Sequence, residues 1–595
     1  MHHTFITKNY KAMRKILFKS IIWSMLMVAA GCTADNPYAD YYNDGSNWNN
    51  GGGMSNNVGS STTEGDIATF DIMMDQNAEE SNTATQAYYP DAEDQLDNNT
   101  FSTQITIDMS NPVAKEEGGV KVIVNGGHVI ADHGAQKGIC YVVSGSTTNG
   151  SLTVLGEKKY EVILNGVSIH NPDSAALNLL SSKRAFVYVT DGTTNQLSDG
   201  TDGSHKGALY AKGKLLFYGS GKLQVEGHTN NGIHSTDYIV FNKGNHINVT
   251  TTENHGIKAN DGIFVNGGVL NVEVSGAGAK GLNSESHIII NGGRTTVITT
   301  GKGSYDSETN EVKGAAGIKA DSTLTINGGD VLLKSTGYGG KGISVDTDAN
   351  FNGGNVYIVT TGGKYTSSSD STSPKGIKVE GSININGGRI WVRTSGNGGE
   401  GIESKQEINI SGGDVASYAY DDAINAKSTM SITGGYVYAH GQHNDGLDAN
   451  GNLYIRGGVV YAICSGSPEV AIDANTEGGY KLYVTGGTIV AVGGLERGAQ
   501  LSQSCFQTSS WTANAWYAMT VDGNTFSFLT PASGGQGMVV SGSTQPSLKQ
   551  SVTVTGGDTC MGGVGVADCS VSGGSTVSLS SYTNTNTGGG GGGWH

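Results

Sequence analysis

A short apolar-x-apolar segment closed by X-Gly-Gly recurs along most of this chain, and that recurrence restricts the fold more than any other feature. The residue before Gly-Gly is Asn266, Asn291, Asn327, Asn352, Asn386, Ser411, Thr433, Arg456 and Thr485 in turn. The intervals are 25, 36, 25, 34, 25, 22, 23 and 29 residues, so the base period is 22 to 25. The two longest intervals carry polar insertions, Lys302 to Lys313 and Lys364 to Lys375. Weaker early copies occur at Asn125 and Asn165.

A second motif precedes each Gly-Gly. It runs from Gly256-Ile257-Lys258-Ala259 through Gly317-Ile318-Lys319-Ala320 and Gly401-Ile402-Glu403-Ser404 to Ala471-Ile472-Asp473-Ala474. Each period therefore holds three short alternating strands. A unit this small cannot bury its own apolar face, so copies must stack. The predicted fold is all-β: a parallel β-helix, right-handed by the usual preference of parallel connections. One aliphatic row should point inward: Ile257, Leu282, Ile318, Ile343, Ile377, Ile402, Ile424, Leu447 and Ile472. A β-propeller is the competing repeat fold, but its blades need about 40 to 50 residues.

Composition agrees. Glycine makes up 93 of 595 residues and proline only 8, which excludes collagen. Charged residues are 15%, too few for charged heptads. Net charge is −17, from 36 basic and 53 acidic residues, which argues against a nucleic-acid partner. It is compatible with bound cations and with sugars.

The amino terminus reads as an address. Lys8, Lys11, Arg14, Lys15 and Lys19 precede a short apolar run, Ile21 to Ala30. The run is too short to span a bilayer and reads as a signal peptide. Val28-Ala29-Ala30-Gly31-Cys32 resembles a bacterial lipobox, with Ala29 at the usual leucine position. Cys32 is then the lipidated first residue of an outer-membrane lipoprotein. Asp35, Asp40 and Asp44 after it resemble a surface-export signal, which implies exposure at the cell surface. The expected organisation is a lipoprotein signal peptide at 1–31 and a flexible low-complexity tether at 32–100. A β-helix follows at 101–500, a β-rich cap closing its open end at 501–587, and a glycine-rich tail at 588–595. Cys140, Cys464, Cys505, Cys560 and Cys569 form no CxxC pair; Cys560 and Cys569 are close enough in sequence to bridge.

Stacking turns outward residues into ladders about 4.8 Å apart. Three ladders carry the functional expectations. The first is acidic: Glu400, Glu403, Asp421, Asp422, Asp445, Asp448 and Asp473. Carboxylates stacked this closely repel unless neutralised, and calcium accepts six to eight oxygens from such a loose cage. The second is basic and lies earlier on the same face: Lys258, Lys280, Lys319, Lys341, Lys375 and Lys378. It would suit a polyanion with regularly spaced carboxylates. The third is aromatic: Tyr357, Trp391, Tyr438 and Tyr461, with Ala416 interrupting. On the outside such rings stack on sugars. A solvated acidic edge, lysines that only keep the face soluble, and aromatics that merely suit strands are the plain alternatives.

The order of motifs from Val162-Ile163-Leu164-Asn165-Gly166 through Thr194-Asn195-Gln196-Leu197-Ser198-Asp199-Gly200 and Gly207-Ala208-Leu209-Tyr210-Ala211 to the Gly-Ile and Asn-Gly-Gly repeats resembles a known family. It is similar to the carbohydrate-binding β-helix proteins of bacterial surfaces, pectate-lyase-like in fold and thought to bind rather than cleave. The resemblance spans about residues 100 to 560. It implies bound calcium, carried here by Asp422, Asp445 and Asp448, and affinity for polygalacturonate or cellulose. The expected function is therefore polysaccharide binding by a lipid-anchored, calcium-carrying β-helix. Two alternatives stay open. One is a calcium-dependent polysaccharide lyase, for which Lys405 or Lys427 would supply the base. The other is an adhesin in which the solenoid is only a spacer.

Overall fold

The computed structural model describes residues 66–367 and 370–584. The predicted signal peptide, Cys32 and the glycine tail lie outside the described residues. No α-helix occurs among those described.

The repeat builds a parallel β-solenoid. A representative coil runs through the strands Lys375–Val379, Ile383–Ile385 and Arg389–Thr394. The next coil repeats them as Glu400–Ser404, Ile408–Ile410 and Asp414–Ala419. Each strand pairs in parallel and in register with its copy. The first strands of successive coils form a 15-stranded sheet; the second and third strands belong to a 31-stranded one. The predicted aliphatic row is the spine of the interior. Ile257, Leu282, Ile318, Ile343, Ile377, Ile402, Ile424, Leu447 and Ile472 are each 0% exposed. Consecutive members are register partners. Burying each such side chain is worth about 1.5–3 kcal/mol, and the row repeats that gain once per coil.

The Gly-Gly corners have a backbone reason. The second glycine of the nine corners from Gly268 to Gly487 sits at φ between 77° and 90°, where an L side chain is strained. A Cβ on Gly388 would also lie 2.6 Å from the Gly354 carbonyl oxygen of the coil below. The preceding asparagine both donates and accepts, which suits a continuous ladder. Asn291 donates to Asn266 at 3.0 Å, Asn327 to Asn291 at 2.8 Å, Asn352 to Asn327 at 2.9 Å and Asn386 to Asn352 at 2.9 Å. Each polar insertion folds as a small antiparallel hairpin, Ser304–Asp306 with Glu311–Lys313 and Tyr365–Thr366 with Ser371–Thr372.

Two expectations need correction. The described part of the expected tether, residues 66–100, is not a solvated linker but a strap bound to the solenoid's flank. It begins where the Ile67 amide donates to the Gly562 carbonyl at 2.9 Å and ends beside Arg184. Its few apolar residues hold it: Ile67, Phe70 and Ile72 are buried, and Tyr89, Leu96 and Phe101 pack on Phe186 and Tyr238. Asp94 is fully buried, with Arg184 Nε at 2.7 Å and the Tyr238 hydroxyl at 2.7 Å. A buried charge with this many donors is anchored, not tethered loosely.

The carboxy-terminal region covers more than an open end. Met538–Ser541 pairs antiparallel with Thr488–Val492, which removes that exposed edge. A six-stranded sheet, from Trp516–Val521 to Ser570–Thr576, then lies along the flank. It packs Tyr517, Phe526, Phe528 and Leu548 against the solenoid's outer face. The five cysteines from Cys140 to Cys569 are free thiols, so Cys560 and Cys569 do not bridge.

Candidate functional site

The outward face of the 15-stranded sheet is where chemistry collects. Its central column runs Lys258, Asn283, Lys319, Ser344, Lys378, Glu403, Asn425 and Asp448, each the register partner of the next. Asp473 follows one coil on, since Leu447 bridges to Ile472. A flanking column runs Lys280, Ala316, Lys341, Lys375 and Glu400. The face thus changes from cationic to anionic between the coils of Lys375 and Glu400.

The anionic end contains a compact carboxylate trio. One oxygen from each of Asp445, Asp448 and Asp473 lies within 4.8 Å of the others. None of the three pairs with a lysine or arginine among the described residues. Neighbouring groups orient them: Asp445 accepts from the Val470 amide at 2.8 Å, and Asp448 from Asn425 Nδ2 at 2.9 Å. Asp422 sits behind, accepting from the Asp445 amide and from Asn425 Nδ2, each at 3.1 Å. Burial, then mutual repulsion, pushes Asp422 up to about 8. Burial likewise pushes Asp445 up to about 8 and Asp448 up to about 6, with nearby carboxylates adding to both. Asp473 is raised by burial and by its contact with Glu496. Such a set is unfavourable when ionised alone and fits an oxygen-liganded divalent cation.

The other residues of the acidic ladder have different partners. Lys375 Nζ lies 2.5 Å from Glu400 and 3.2 Å from Glu403, and Lys405 also pairs with Glu403. Glu400 and Glu403 are therefore ion-paired and stand outside the trio. Asp421 accepts from Asn444 at 3.1 Å and is also outside it. These pairings are local: Lys375 and Glu400 occupy one column in adjacent coils, where opposite charges attract most strongly.

Most of the basic ladder is already neutralised. Lys258 pairs with Glu285 at 3.1 Å and Lys378 with Glu380 at 2.6 Å. Lys319 pairs with Asp321 at 2.9 Å and Asp346 at 2.6 Å. Lys280 and Lys341 differ. Their ammonium groups donate to the Gly314 carbonyl at 2.6 Å and to Thr372 Oγ1 at 2.7 Å. Burial, then neighbouring lysines, pulls both down to about 7.

The aromatic ladder is corrected outright. Tyr357, Trp391, Tyr438 and Tyr461 are 0–4% exposed, so no sugar can stack on them. Phe70 of the strap sits edge-on to Tyr357 and Trp391, with ring centroids 6.5 and 6.4 Å away. From the carboxy-terminal sheet, Phe528 lies 5.1 Å from Tyr461. The register that aligns these rings was readable; the segments that cover them were not. Exposed rings occur instead on connections between strands, where Tyr338 is 61% exposed, and in the first insertion, where Tyr305 is 36% exposed. For Tyr305 its place inside a polar insertion was the available signal.

A family described as carbohydrate-binding domain-containing protein matches residues 125–284, 335–398 and 393–561, more than half of the chain. The chain belongs to that family. A carbohydrate-binding domain-containing protein of Acetivibrio thermocellus is 28% identical over 115 residues, or 18% of this chain. The match spans 40% of that relative's length. A solved structure described as the polysaccharide lyase-like protein from C. thermocellum, gadolinium derivative, is 16% identical, with a TM-score of 0.27. It covers 52% of this chain and 96% of its own.

Proposed function

We propose that this chain binds polysaccharide without cleaving it, through the charged face of the 15-stranded sheet, with calcium held by Asp445, Asp448 and Asp473. The observation that carries the reading is the unpaired carboxylate trio on adjacent coils, beside a lysine-bearing face, in a chain of a carbohydrate-binding family. Calcium there would supply positive charge toward an acidic sugar, and Asp422 and Asn425 would fix the trio's orientation. Acidic glycans such as polygalacturonate are the first candidates, and cellulose the neutral one.

The lyase reading loses support at the base. Burial works against the charge on Lys405, but the Glu403 carboxylate holds its pKa above the usual lysine value. A base must be free to accept a proton. Lys427 is exposed, one coil beyond Lys405, and its amide donates to the Ser404 carbonyl at 2.9 Å. The two lysines poised to lose a proton, Lys280 and Lys341, are in other coils. Lys341 stands four coils before Asp445, which is about 19 Å along the axis at the spacing of paired strands. The discriminating experiment incubates the chain with polygalacturonate and calcium and follows the absorbance of unsaturated products. No product, with the polymer retained, is the expected result; steady product formation would make the protein a lyase. Retention by no glycan at all would leave the spacer role of an adhesin.

We also propose that Cys32 carries the lipid that anchors the protein at the outer membrane, exposed at the cell surface. Metabolic labelling with a radioactive fatty acid should mark the wild-type chain and not Cys32→Ala. Equal labelling of both would contradict it.

A further inference from the structure

The carboxy-terminal sheet has an outer face that the solenoid does not use. In its strand Trp516–Val521, Tyr517 and Met519 pack toward the solenoid, so Trp516 faces the other way. Trp516 is half-buried, yet it belongs to none of the apolar cores. The strand Ser547–Thr555 shows why. As far as Gln550 it pairs with Tyr517 to Thr520. Ser551 then takes a φ of 54°, opposite Gly574 at 74°, a left-handed conformation uncommon outside glycine. Beyond that bend, Val552 to Thr555 pair only with Ser570 to Gly573 among the described residues. A groove of about 470 Å³ opens where the strands part. It is lined by Trp516, by Val552, Thr553 and Val554 past the bend, and by Thr559 and Val566 of the strands Asp558–Cys560 and Gly565–Ala567. The turn at Gly556 completes the lining, and no lining residue is charged. Thr553 and Thr559 are exposed at the rim. Among the described residues, nothing bonds their hydroxyls or the Trp516 indole N–H.

We infer that this groove binds an uncharged sugar residue, with the ring stacked on Trp516 and its hydroxyls bonded to Thr553 and Thr559. The site lies on a different sheet from the carboxylate trio and takes no cation. It draws on membership of a carbohydrate-binding family but not on the charged face. Three features fit this ligand together. The volume falls within the range of small-molecule clefts, about 300–1,000 Å³. An indole offers a broad apolar face and one N–H donor, which matches a ring that is apolar on its faces and polar at its edge. A groove without charge gives an anion nothing in return for its lost hydration. A purely apolar occupant fits less well, because it would cover the indole N–H and both hydroxyls without bonding them.

The test uses the soluble chain in a buffer containing chelator. Neutral hexasaccharides of glucose, xylose and mannose are each measured by calorimetry. At least one should bind the wild type. Trp516→Ala should weaken that binding about tenfold, equivalent to about 1.4 kcal/mol. Trp516→Phe, which keeps a stacking ring, should retain most of it. The melting temperature of Trp516→Ala should stay at the wild-type value, because the ring belongs to no core. Thr559→Val, which removes one rim hydroxyl, should weaken binding severalfold and keeps the test decisive if Trp516→Ala misfolds. Binding of no neutral hexasaccharide, or equal affinity of Trp516→Ala and wild type, would overturn the assignment. Binding of decanol in place of the sugars would make the groove an apolar site and overturn it as well. The acidic-glycan reading fails separately: it is read from calcium-dependent retention on polygalacturonate, in which this groove takes no part.

Discussion

Trp391→Ala is expected to lower the unfolding free energy by about 3–5 kcal/mol and to leave glycan retention per folded molecule unchanged. The indole lies between the solenoid and the segments that cover it. It is 4% exposed, edge-on to Phe70 at 6.4 Å and to Tyr357 at 5.5 Å. Arg389 sits over its ring at 5.1 Å, and its Nε1 donates to Asp414 at 3.3 Å. Truncation opens a cavity where strap and sheet meet, so both should loosen together. Denaturant unfolding gives the stability change, and limited proteolysis of residues 66–100 gives the loosening. Lost retention in a variant of wild-type stability would return Trp391 to the sugar-binding surface.

The second large effect concerns the carboxylate trio, and its sign follows from the direction of the shifts. Free aspartate titrates near 3.9. In the folded chain Asp422 and Asp445 titrate at about 8 and Asp448 at about 6, each raised by burial. Between those values the folded chain holds more protons than the unfolded one. Cation-free stability is therefore complete below about pH 4 and is lost as pH rises through about 6 to 8. In chelator the melting temperature should fall between pH 5.5 and pH 8.5. Calcium at about one hundred times its dissociation constant should restore about 2.7 kcal/mol at the higher pH. Asp448→Asn removes one repelling charge, so it should melt higher than wild type at pH 8.5 in chelator and gain less from calcium. A calcium gain as large in Asp448→Asn as in wild type would place the ion elsewhere.

What the sequence disclosed was whatever the period itself encodes. The Ile257-to-Ile472 row, the Gly-Gly corners and the cationic-to-anionic change along one face all follow from register, because residues one period apart must stack. What it concealed was coverage. Nothing within a coil says that the outward face at Tyr357 and Trp391 lies under residues more than 280 positions upstream. The strap escaped notice for a related reason. Ile67, Phe70 and Ile72, like Tyr89, Leu96 and Phe101 further on, are sparse among Asn, Asp and Thr, and they pack on a surface that the solenoid already provides. The acidic ladder was partly separable from register alone. Lys375 precedes Glu400 by one coil in the same column, so their pairing was implicit, whereas Asp448 follows Asn425 in its column and Asp473 follows Asp448.

The most direct test is retention of the soluble chain on immobilised polygalacturonate, with calcium and with chelator, for the wild type and for Asp448→Asn. The account predicts that calcium strengthens retention of the wild type and that this gain largely disappears in the variant, with no unsaturated product in either. Retention of the wild type that is indifferent to calcium, or a calcium gain that Asp448→Asn keeps in full, would contradict it.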